Sequence, residues 1–212
     1  MGEGRLRGDR EADVVAGAGL WEGGSSVERA TRGQGRQHDV SELSQLILDR
    51  IRDVNDYPKP GVVFKDITPL LADAKAFAAV IDELAGLYPG VDKIVGIEAR
   101  GFILAAPAAY RAQAGFVPVR KKGKLPSATL ETSYELEYGT ADIEVHRDAF
   151  SPGDRVLIVD DVLATGGTAE AAVELVKRAG AEVVGLAVLM ELAFLKGRER
   201  LTGVDLHSLV IV

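Results

Sequence analysis

The sequence predicts an α/β fold in which a central, mostly parallel sheet is flanked by helices. Short, continuous apolar runs recur along the chain, as is typical of strands buried on both faces. Amphipathic stretches with helical spacing separate most of these runs, and strands that alternate with helices indicate a parallel sheet. The 212 residues are enough for one sizeable domain or two small ones.

The composition excludes several classes of protein and site. The residues are 47% hydrophobic and 27% charged, as in globular proteins, and the net charge of −7 argues against a nucleic-acid partner. Because the chain has no cysteine, disulfides, thiol catalysis and zinc–thiolate sites are excluded. No apolar run approaches the length of a membrane span, and no signal peptide is recognisable. We therefore expect a cytoplasmic protein with no membrane partner.

Residues 1–37 differ from the rest of the chain. They are rich in glycine, arginine and glutamate, and the large apolar residues Leu6, Leu20 and Trp21 stand almost alone. Such a segment cannot bury enough apolar surface to offset its loss of conformational entropy. The sequence thus predicts a disordered extension over residues 1–37 and a folded domain over residues 38–212. A partner-binding tail is an alternative, although a segment without a function is the simpler interpretation.

The first elements of the domain follow from capping signals and helical spacing. Asp39 and Glu42 have capping-box spacing, and we expect one amphipathic helix to follow and to end before Tyr57. The segment 56–71 contains three prolines, which predicts a loop with at most a short strand around residues 62–64. Asp73 is placed to cap a second helix. The apolar positions that predict the first helix are Leu43, Leu46, Ile47, Ile51 and Val54.

The second half of the chain alternates strands with helices and loops. A buried strand at residues 93–97 leads into an alanine-rich helix that Pro107 should interrupt. A further strand is expected at residues 115–119, and a basic segment at 120–126 follows it. The remaining predictions are a loop with hairpin tendencies at 127–139, a half-exposed strand at 141–146, and buried strands at 182–189 and 207–212.

Residues 155–168, RVLIVDDVLATGGT, carry the clearest chemistry. An apolar strand at 156–159 should end just before Asp160 and Asp161, and a glycine-containing turn then leads into a helix over residues 169–179. A glycine turn at a helix N-terminus offers backbone N–H groups to an anion, and threonine hydroxyls add donors. Carboxylates just upstream would accept hydrogen bonds from sugar hydroxyls. The pattern therefore predicts a site for a ribose 5-phosphate, with the phosphate held by Ala164, Thr165, Gly166, Gly167 and Thr168.

This segment resembles the signature of the type I phosphoribosyltransferases, which bind 5-phosphoribosyl-1-pyrophosphate (PRPP). It contains neither a Walker A loop nor G-x-G-x-x-G. Two further motifs, the proline-punctuated segment 56–71 and E-A-R-G-F at residues 98–102, are similar to those of the adenine phosphoribosyltransferases within that family. The resemblance covers roughly residues 41–201. It implies the type I phosphoribosyltransferase fold, with a small hood from the N-terminal loop region and a flexible catalytic loop at residues 127–139.

The resemblance also implies roles for individual residues. Glu137, Asp160, Asp161 and Arg100 are the expected catalytic residues, and the two aspartates would hold the ribose. Which aspartate lies closer to the ribose stays open, since neighbouring strand residues point to opposite faces. The expected adenine contacts are Val63, Phe64 and Lys65, with arginine common in the family where Lys65 stands. The expected pyrophosphate contacts are Arg100, Arg120, Lys124 and Tyr138.

Without the resemblance, the residues also allow purely structural interpretations of these positions. Phe64 could be a loop aromatic packed on the core, Arg100 could form a structural ion pair with Glu98, and the cations of 120–124 could be a solvated face. His146 is assigned no role.

The implied reaction is the conversion of adenine and PRPP to AMP and pyrophosphate, in purine salvage. The resemblance implies Mg²⁺ held mainly through PRPP, with no direct protein ligand assigned, and a homodimer. One alternative is a different purine specificity, against which the loops at 62–64 and 136–139 argue. The other is a non-catalytic, PRPP-sensing regulator that binds DNA, against which the negative net charge argues.

Overall fold

The structure is a computed structural model that describes residues 40–135 and 140–212, apart from the side chains of Val40 and Glu135. Five helices and nine strands are found in these residues. In chain order they are α1 (Val40–Leu48), β1 (Arg52–Asn55), β2 (Val63–Asp66), α2 (Thr68–Ala72), α3 (Ala74–Gly86), β3 (Lys93–Ile97), α4 (Arg100–Ala112), β4 (Gly115–Lys121), β5 (Thr129–Glu135), β6 (Thr140–His146), β7 (Arg155–Leu163), α5 (Gly167–Arg178), β8 (Glu182–Glu191) and β9 (Leu206–Ile211), with short 3-10 turns at Ala193–Leu195 and Gly197–Arg200.

A seven-stranded sheet with the order β5-β6-β4-β3-β7-β8-β9 forms the centre of the fold. The five strands from β4 to β9 in that order pair in parallel, whereas β6 and β5 add to the β4 edge in antiparallel orientation. The sheet is therefore mostly parallel, as predicted. Strands β1 and β2 form a separate antiparallel pair in the N-terminal part of the domain.

Both faces of the central sheet are covered by helices. Ile94 and Leu157 pack into one core with residues of α1 to α4, whereas Val95 and Ile158 pack into a second core with α5. Successive strand residues alternate between the two cores because their side chains point to opposite faces. Because helices cover both faces of the sheet, successive strand residues are all buried, and each such strand is a continuous apolar run in the sequence.

The first helix is shorter than predicted. Helix α1 ends at Leu48, and Ile51 and Val54 do not belong to it. Its last hydrogen bonds tighten to three-residue spacing, with Arg50 N 3.0 Å from Ile47 O. Residue Val54 lies instead in β1, opposite Phe64 of β2. The helical spacing continued by chance, and pairing with the next segment determined the structure.

Pro107 does not interrupt helix α4, contrary to the prediction. The helix is continuous from Arg100 to Ala112, and its residues Ala105 and Ala108 are fully buried against the sheet. A proline inside a helix removes one hydrogen bond and clashes with the preceding turn. Burial of the surrounding alanine face evidently outweighs this local cost.

Three strands extend beyond their predicted ends or arise where a loop was expected. Strand β7 runs through Leu163, so Asp160 and Asp161 lie within it, because β8 continues the ladder as far as the Leu163–Glu191 pair. Strand β4 includes Arg120, which pairs with Glu144 of β6. Much of the predicted 127–139 loop is strand β5, which pairs along the length of β6.

Residues 1–39 and 136–139 lie outside the described residues. The predictions of a disordered extension over residues 1–37, of a cap at Asp39, and of roles for Glu137 and Tyr138 therefore remain predictions. Among the described residues, no helix combines the length and apolarity needed to cross a membrane.

Candidate active site

A cavity of about 250 Å³ opens where the carboxyl ends of β3 and β7 meet the start of α5. In open α/β sheets, ligands bind beyond the carboxyl ends of parallel strands. The cavity brings together the predicted acidic pair, Arg100 and the whole predicted phosphate turn. Its lining residues are Ile97, Glu98, Ala99, Arg100, Tyr134, Asp160, Asp161, Val162, Leu163, Ala164, Thr165, Gly166, Gly167, Thr168, Ala169 and Val188.

Arg100 forms an ion pair with Asp161, not with Glu98. Its Nη2 lies 2.9 Å from Asp161 Oδ2. The contact lacks hydrogen-bonding geometry, so this buried carboxylate oxygen has no hydrogen-bond partner among the described residues. A buried acceptor without a partner is costly, and it is placed to accept a hydrogen bond from a ligand entering the cavity.

Asp160 lies on the opposite side of the strand, beneath the start of α4. Its Oδ1 accepts a hydrogen bond from Asp161 N at 2.9 Å. A Cβ atom on Gly101 would lie 2.8 Å from this oxygen, so only glycine allows α4 to approach β7 this closely. Both carboxyl groups line the cavity.

The two carboxyl groups have shifted acidities. Burial raises the pKa of Asp160 well above its usual range, and the negative charge of Asp161 raises it further. Burial also raises the pKa of Asp161, although the Arg100 guanidinium opposes the shift. Two interacting groups of this kind release their protons in two steps, and the pKa of each step belongs to the pair.

Residues 164–168 form the turn at the N-terminus of α5. Gly166 has a φ of +86° and is the N-cap residue of α5, and it supplies no side-chain capping hydrogen bond. The first N–H groups of a helix have no partner within the helix. A glycine turn that lacks a side-chain cap therefore suits an anion such as a phosphate monoester.

Phe64, predicted to stack on a base, contacts Arg100, which lines the cavity. The Arg100 guanidinium carbon lies 5.1 Å from the centre of the Phe64 ring, and Tyr57 contacts the same ring edge-to-face at 5.2 Å. Val63 is exposed, and Lys65 forms an ion pair with Asp53 at 2.7 Å. The three predicted adenine contacts, Val63, Phe64 and Lys65, do not line the cavity itself.

The basic segment is held beside the cavity by two carboxylates. Arg120 Nε lies 3.2 Å from Glu98 Oε2, and its Nη1 donates to the carbonyl oxygen of Lys124 at 3.1 Å. Glu144 is almost fully buried, and its Oε1 accepts from the backbone N–H groups of Lys124 and Leu125, each at 2.9 Å. Arg120 thus borders the site through Glu98, whereas Lys124 does not line the cavity.

Sequence reasoning missed three residues of this region. Tyr134 lines the cavity from β5, Glu98 orients Arg120, and Glu144 anchors the basic segment. A lone acidic residue on a predicted half-exposed strand carries no signal of such a role. The alternation of residues 141–146 places Glu144 with Asp142 and His146 on the polar face, so the pattern pointed away from its buried position.

Comparisons with known proteins agree with this arrangement. A family model for the phosphoribosyl transferase domain matches residues 64–205. The adenine phosphoribosyltransferase of Streptomyces coelicolor is 65% identical over 176 residues, which are 80% of this chain and 97% of that protein.

Two solved structures are also similar. The adenine phosphoribosyltransferase of Rhodothermus marinus has a TM-score of 0.77 and 52% identity, covering 81% of this chain and 99% of that one. The enzyme of Saccharomyces cerevisiae, complexed with adenine and an imino-altritol bisphosphate, has a TM-score of 0.76 and 37% identity, covering 80% and 99%. The likeness therefore extends over most of the chain and over nearly all of each relative.

Proposed function

We propose that this chain, which belongs to the adenine phosphoribosyltransferases of the type I phosphoribosyltransferase family, transfers the 5-phosphoribosyl group of PRPP to adenine. The products are AMP and pyrophosphate, and the reaction serves purine salvage. The observation that carries the proposal is one cavity shared by an acidic pair, an arginine and a glycine turn at a helix N-terminus. This combination matches the three parts of PRPP, namely the ribose, the pyrophosphate and the 5′-phosphate.

The 5′-phosphate binds at the turn formed by Ala164, Thr165, Gly166, Gly167 and Thr168. The backbone N–H groups of the turn and the positive end of the helix dipole both favour an anion there. This phosphate takes no part in bond breaking. Its binding energy therefore anchors PRPP in the cavity in the ground state and in the transition state alike.

The ribose hydroxyls donate to the carboxylates of Asp160 and Asp161. The Oδ2 of Asp161, which pairs with Arg100 but accepts no hydrogen bond from the described residues, supports a direct role for that residue. Breaking the bond between C1′ and pyrophosphate builds positive charge on the ribose ring. Nearby carboxylates stabilise that charge more than they stabilise the neutral ground state, which lowers the barrier.

The leaving pyrophosphate requires positive charge, which we assign to Arg100, Arg120 and Lys124. A guanidinium grips such oxygens with two parallel hydrogen bonds. Arg100 contacts Asp161 and Phe64 in this structure, so it exchanges the Asp161 contact for pyrophosphate when PRPP binds. Glu98 keeps Arg120 at the edge of the cavity.

Adenine stacks on Phe64, while the backbone of Val63 and Lys65 reads the edge of the base. The binding of adenine by the yeast relative supports this assignment of the base. Glu137 acts as the acid or base near the purine, and Tyr138 contacts pyrophosphate from the same loop. Both residues lie outside the described part of the chain, and these two roles rest on the sequence motif.

Mg²⁺ is the cofactor that we propose, held mainly by the oxygens of PRPP. Carboxylates suit this hard cation, and the acidic residues that line the cavity are Glu98, Asp160 and Asp161. In the described part of the chain, no group of three or more histidine, cysteine or acidic residues forms a metal site. When bound, the ion would neutralise charge on the pyrophosphate.

We also propose that the chain acts as a homodimer in the cytoplasm. Ile103 and Tyr110 on α4 and Phe116 on β4 are exposed apolar residues of the kind that interfaces cover. PRPP and AMP are multiply charged and do not cross lipid bilayers, so the reaction runs where nucleotides are made. Light scattering of the purified chain and cell fractionation test these two statements.

The test of the activity is pyrophosphate release from Mg²⁺ and PRPP, with adenine, hypoxanthine, guanine, xanthine and orotate supplied in turn. We expect turnover with adenine alone. Asp161→Asn should lower kcat by on the order of 100-fold, as when one preorganised electrostatic contact to a transition state is lost. Asp82→Asn, which alters an exposed ion pair with Arg111 between α3 and α4, is the matched control and should keep full activity.

Turnover with a different base would retain the PRPP site but refute the assignment of the Phe64 loop. Tight PRPP binding without turnover would instead favour the regulator, and salt-dependent affinity for DNA would support that alternative.

A further inference from the structure

The 3-10 turn Gly197–Arg200 packs directly against the backbone of the phosphate turn. A Cβ atom on Gly166 would lie 2.5 Å from the carbonyl oxygen of Gly197. Conversely, a Cβ atom on Gly197 would collide with the carbonyl oxygen of Ala164 and lie 3.0 Å from Gly166 N. The two backbones touch with no room for a side chain on either, so the position of one limits the position of the other.

Arg198, the residue after Gly197, is tied to the end of the sheet. Its Nε donates to Glu191 Oε1 at 3.0 Å, and its Nη2 donates to Glu191 Oε2 and to Ser208 Oγ. The Ser208 hydroxyl donates to the same Glu191 oxygen at 2.6 Å. The hydrogen bonds from Arg198 lower the pKa of Glu191, so this buried carboxylate stays ionised and keeps its partner.

Glu191 connects this network to the strand that leads into the site. It is the last residue of β8, and it pairs with Leu163, the last residue of β7. The phosphate turn begins at the next residue, Ala164. A continuous path of contacts therefore runs from the end of the sheet through Glu191 and Arg198 to Gly197, and from Gly197 back to the phosphate turn.

We propose that Arg198 and Glu191 are positioning residues that hold Gly197 against the phosphate turn and so preform the 5′-phosphate site. The inference rests on the proposed function, since it concerns the phosphate subsite of that reaction. Neither residue lines the cavity, and both act through the backbone of Gly197. A turn held in its binding conformation loses less entropy when the phosphate binds.

Arg198→Met is the main test, with Arg111→Met as the matched control. Arg111 likewise forms an ion pair with a carboxylate, that of Asp82 on α3, and it lies far along the chain from the turn. Calorimetry should find ribose 5-phosphate bound about tenfold more weakly by Arg198→Met, because shifts of about 1 Å in a positioned group can cost up to 100-fold. The affinity for magnesium pyrophosphate should not change.

Steady-state kinetics separate positioning from a general loss of structure. Because the 5′-phosphate is held alike in the ground and transition states, the KM for PRPP should rise about tenfold with kcat nearly unchanged. The KM for adenine should stay the same. Arg198→Lys, which keeps the charge but not the forked geometry, should restore part of the affinity.

A double-mutant cycle with Gly197→Ala tests whether Arg198 acts on the phosphate turn through Gly197. In the parent chain the added methyl group has to displace the phosphate turn, because Arg198 prevents the 3-10 turn from moving away. In the Arg198→Met background the 3-10 turn is released, so Gly197→Ala should weaken ribose 5-phosphate binding by a smaller factor. If Arg198→Met does not fold, the milder Ser208→Ala takes its place in the cycle.

Equal loss of pyrophosphate and ribose 5-phosphate affinity, or independent effects in the cycle, would overturn the inference. So would unchanged ribose 5-phosphate affinity in a folded Arg198→Met. If the parent chain itself does not bind ribose 5-phosphate, the proposed function fails together with the inference. Binding by the parent with no effect of the variants refutes the positioning role alone.

Discussion

Arg100 illustrates how one side chain connects two parts of the site. It pairs with Asp161 at 2.9 Å and lies 5.1 Å from the centre of the Phe64 ring. The carboxylate proposed to bind the ribose and the ring proposed to stack on adenine therefore both contact the residue proposed to bind pyrophosphate. In the absence of PRPP, this arrangement gives Arg100 a counter-ion and an aromatic face, which lowers the cost of holding a cation inside the cavity.

The raised pKa of Asp160 predicts that Asp160→Asn stabilises the fold, and that this gain in stability grows as the pH rises. A carboxyl group whose pKa is higher in the folded chain than its reference value of 3.8 stabilises the fold most when it is protonated, at low pH. That stability is lost as the pH rises through the folded-state pKa. Asp160→Asn stays neutral throughout, so its Tm relative to the parent should rise between pH 4 and pH 8.

Thermal unfolding of both chains across this pH range is the measurement. Carboxylates that do not interact with Asp160 change the stability of both chains alike, so the difference between the chains reports on Asp160 together with its neighbour Asp161. A difference in Tm that is constant with pH would contradict the raised pKa. Activity should also fall in Asp160→Asn at pH values above the folded-state pKa of Asp160, because there the ribose loses a carboxylate.

Helix α4 shows how an element positions the site. It begins at Arg100 and packs against β3 and β7, with Gly101 at the closest approach. Its alanine-rich face is buried, so the helix continues through Pro107 without a break. The position of Arg100 therefore depends on the packing of the entire helix on the sheet.

Gly101→Ala should damage both stability and activity. The added Cβ would lie 2.8 Å from Asp160 Oδ1 and 3.0 Å from the carbonyl oxygen of Val159. Forcing a methyl group into such a contact costs about 2 kcal/mol, which would lower the Tm by roughly 4–8 °C. Because α4 and Asp160 both move, the kcat/KM for PRPP should fall as well.

Gly86→Ala is the matched control, since Gly86 ends α3 and a Cβ atom there meets nothing within 4 Å. Its Tm should be unchanged or slightly higher. Equal stability of the two variants in scanning calorimetry would show that α4 can move away from β7 at little cost.

For the whole molecule, the main feature is a sheet buried on both faces. Strands β3 and β7 lie at or beside its centre, and their side chains alternate between two helix-covered cores. The site lies at the carboxyl edge of these strands, where the backbone leaves the sheet and polar groups become available. The packing of helices on both faces of the sheet thus determines where polar groups can form a ligand site.

Removal of residues 1–37 should leave this domain intact. The segment has few large apolar residues, so the composition predicts little contribution to either core. A chain that starts at residue 38 should match the full chain in Tm, in kcat and in the KM values for both substrates. A lower Tm or a raised KM in the shortened chain would instead assign the segment a role.

The sequence by itself determined the order of most strands and helices and the membership of the phosphate turn. These features are local, since apolar runs, capping residues and glycine positions lie within a few residues of one another. Asp73 caps α3 as expected, and Asp160, Asp161 and residues 164–168 meet in one cavity as expected.

Only the tertiary structure decided the features that depend on partners distant in the chain. Strand β7 continues past the acidic pair because β8 pairs with it, and α1 ends early because Val54 pairs opposite Phe64. Arg100 pairs with Asp161 although 60 residues separate them along the chain. The contact of Gly197 with the phosphate turn likewise arises only when the two segments pack, because no local pattern encodes which backbones will touch.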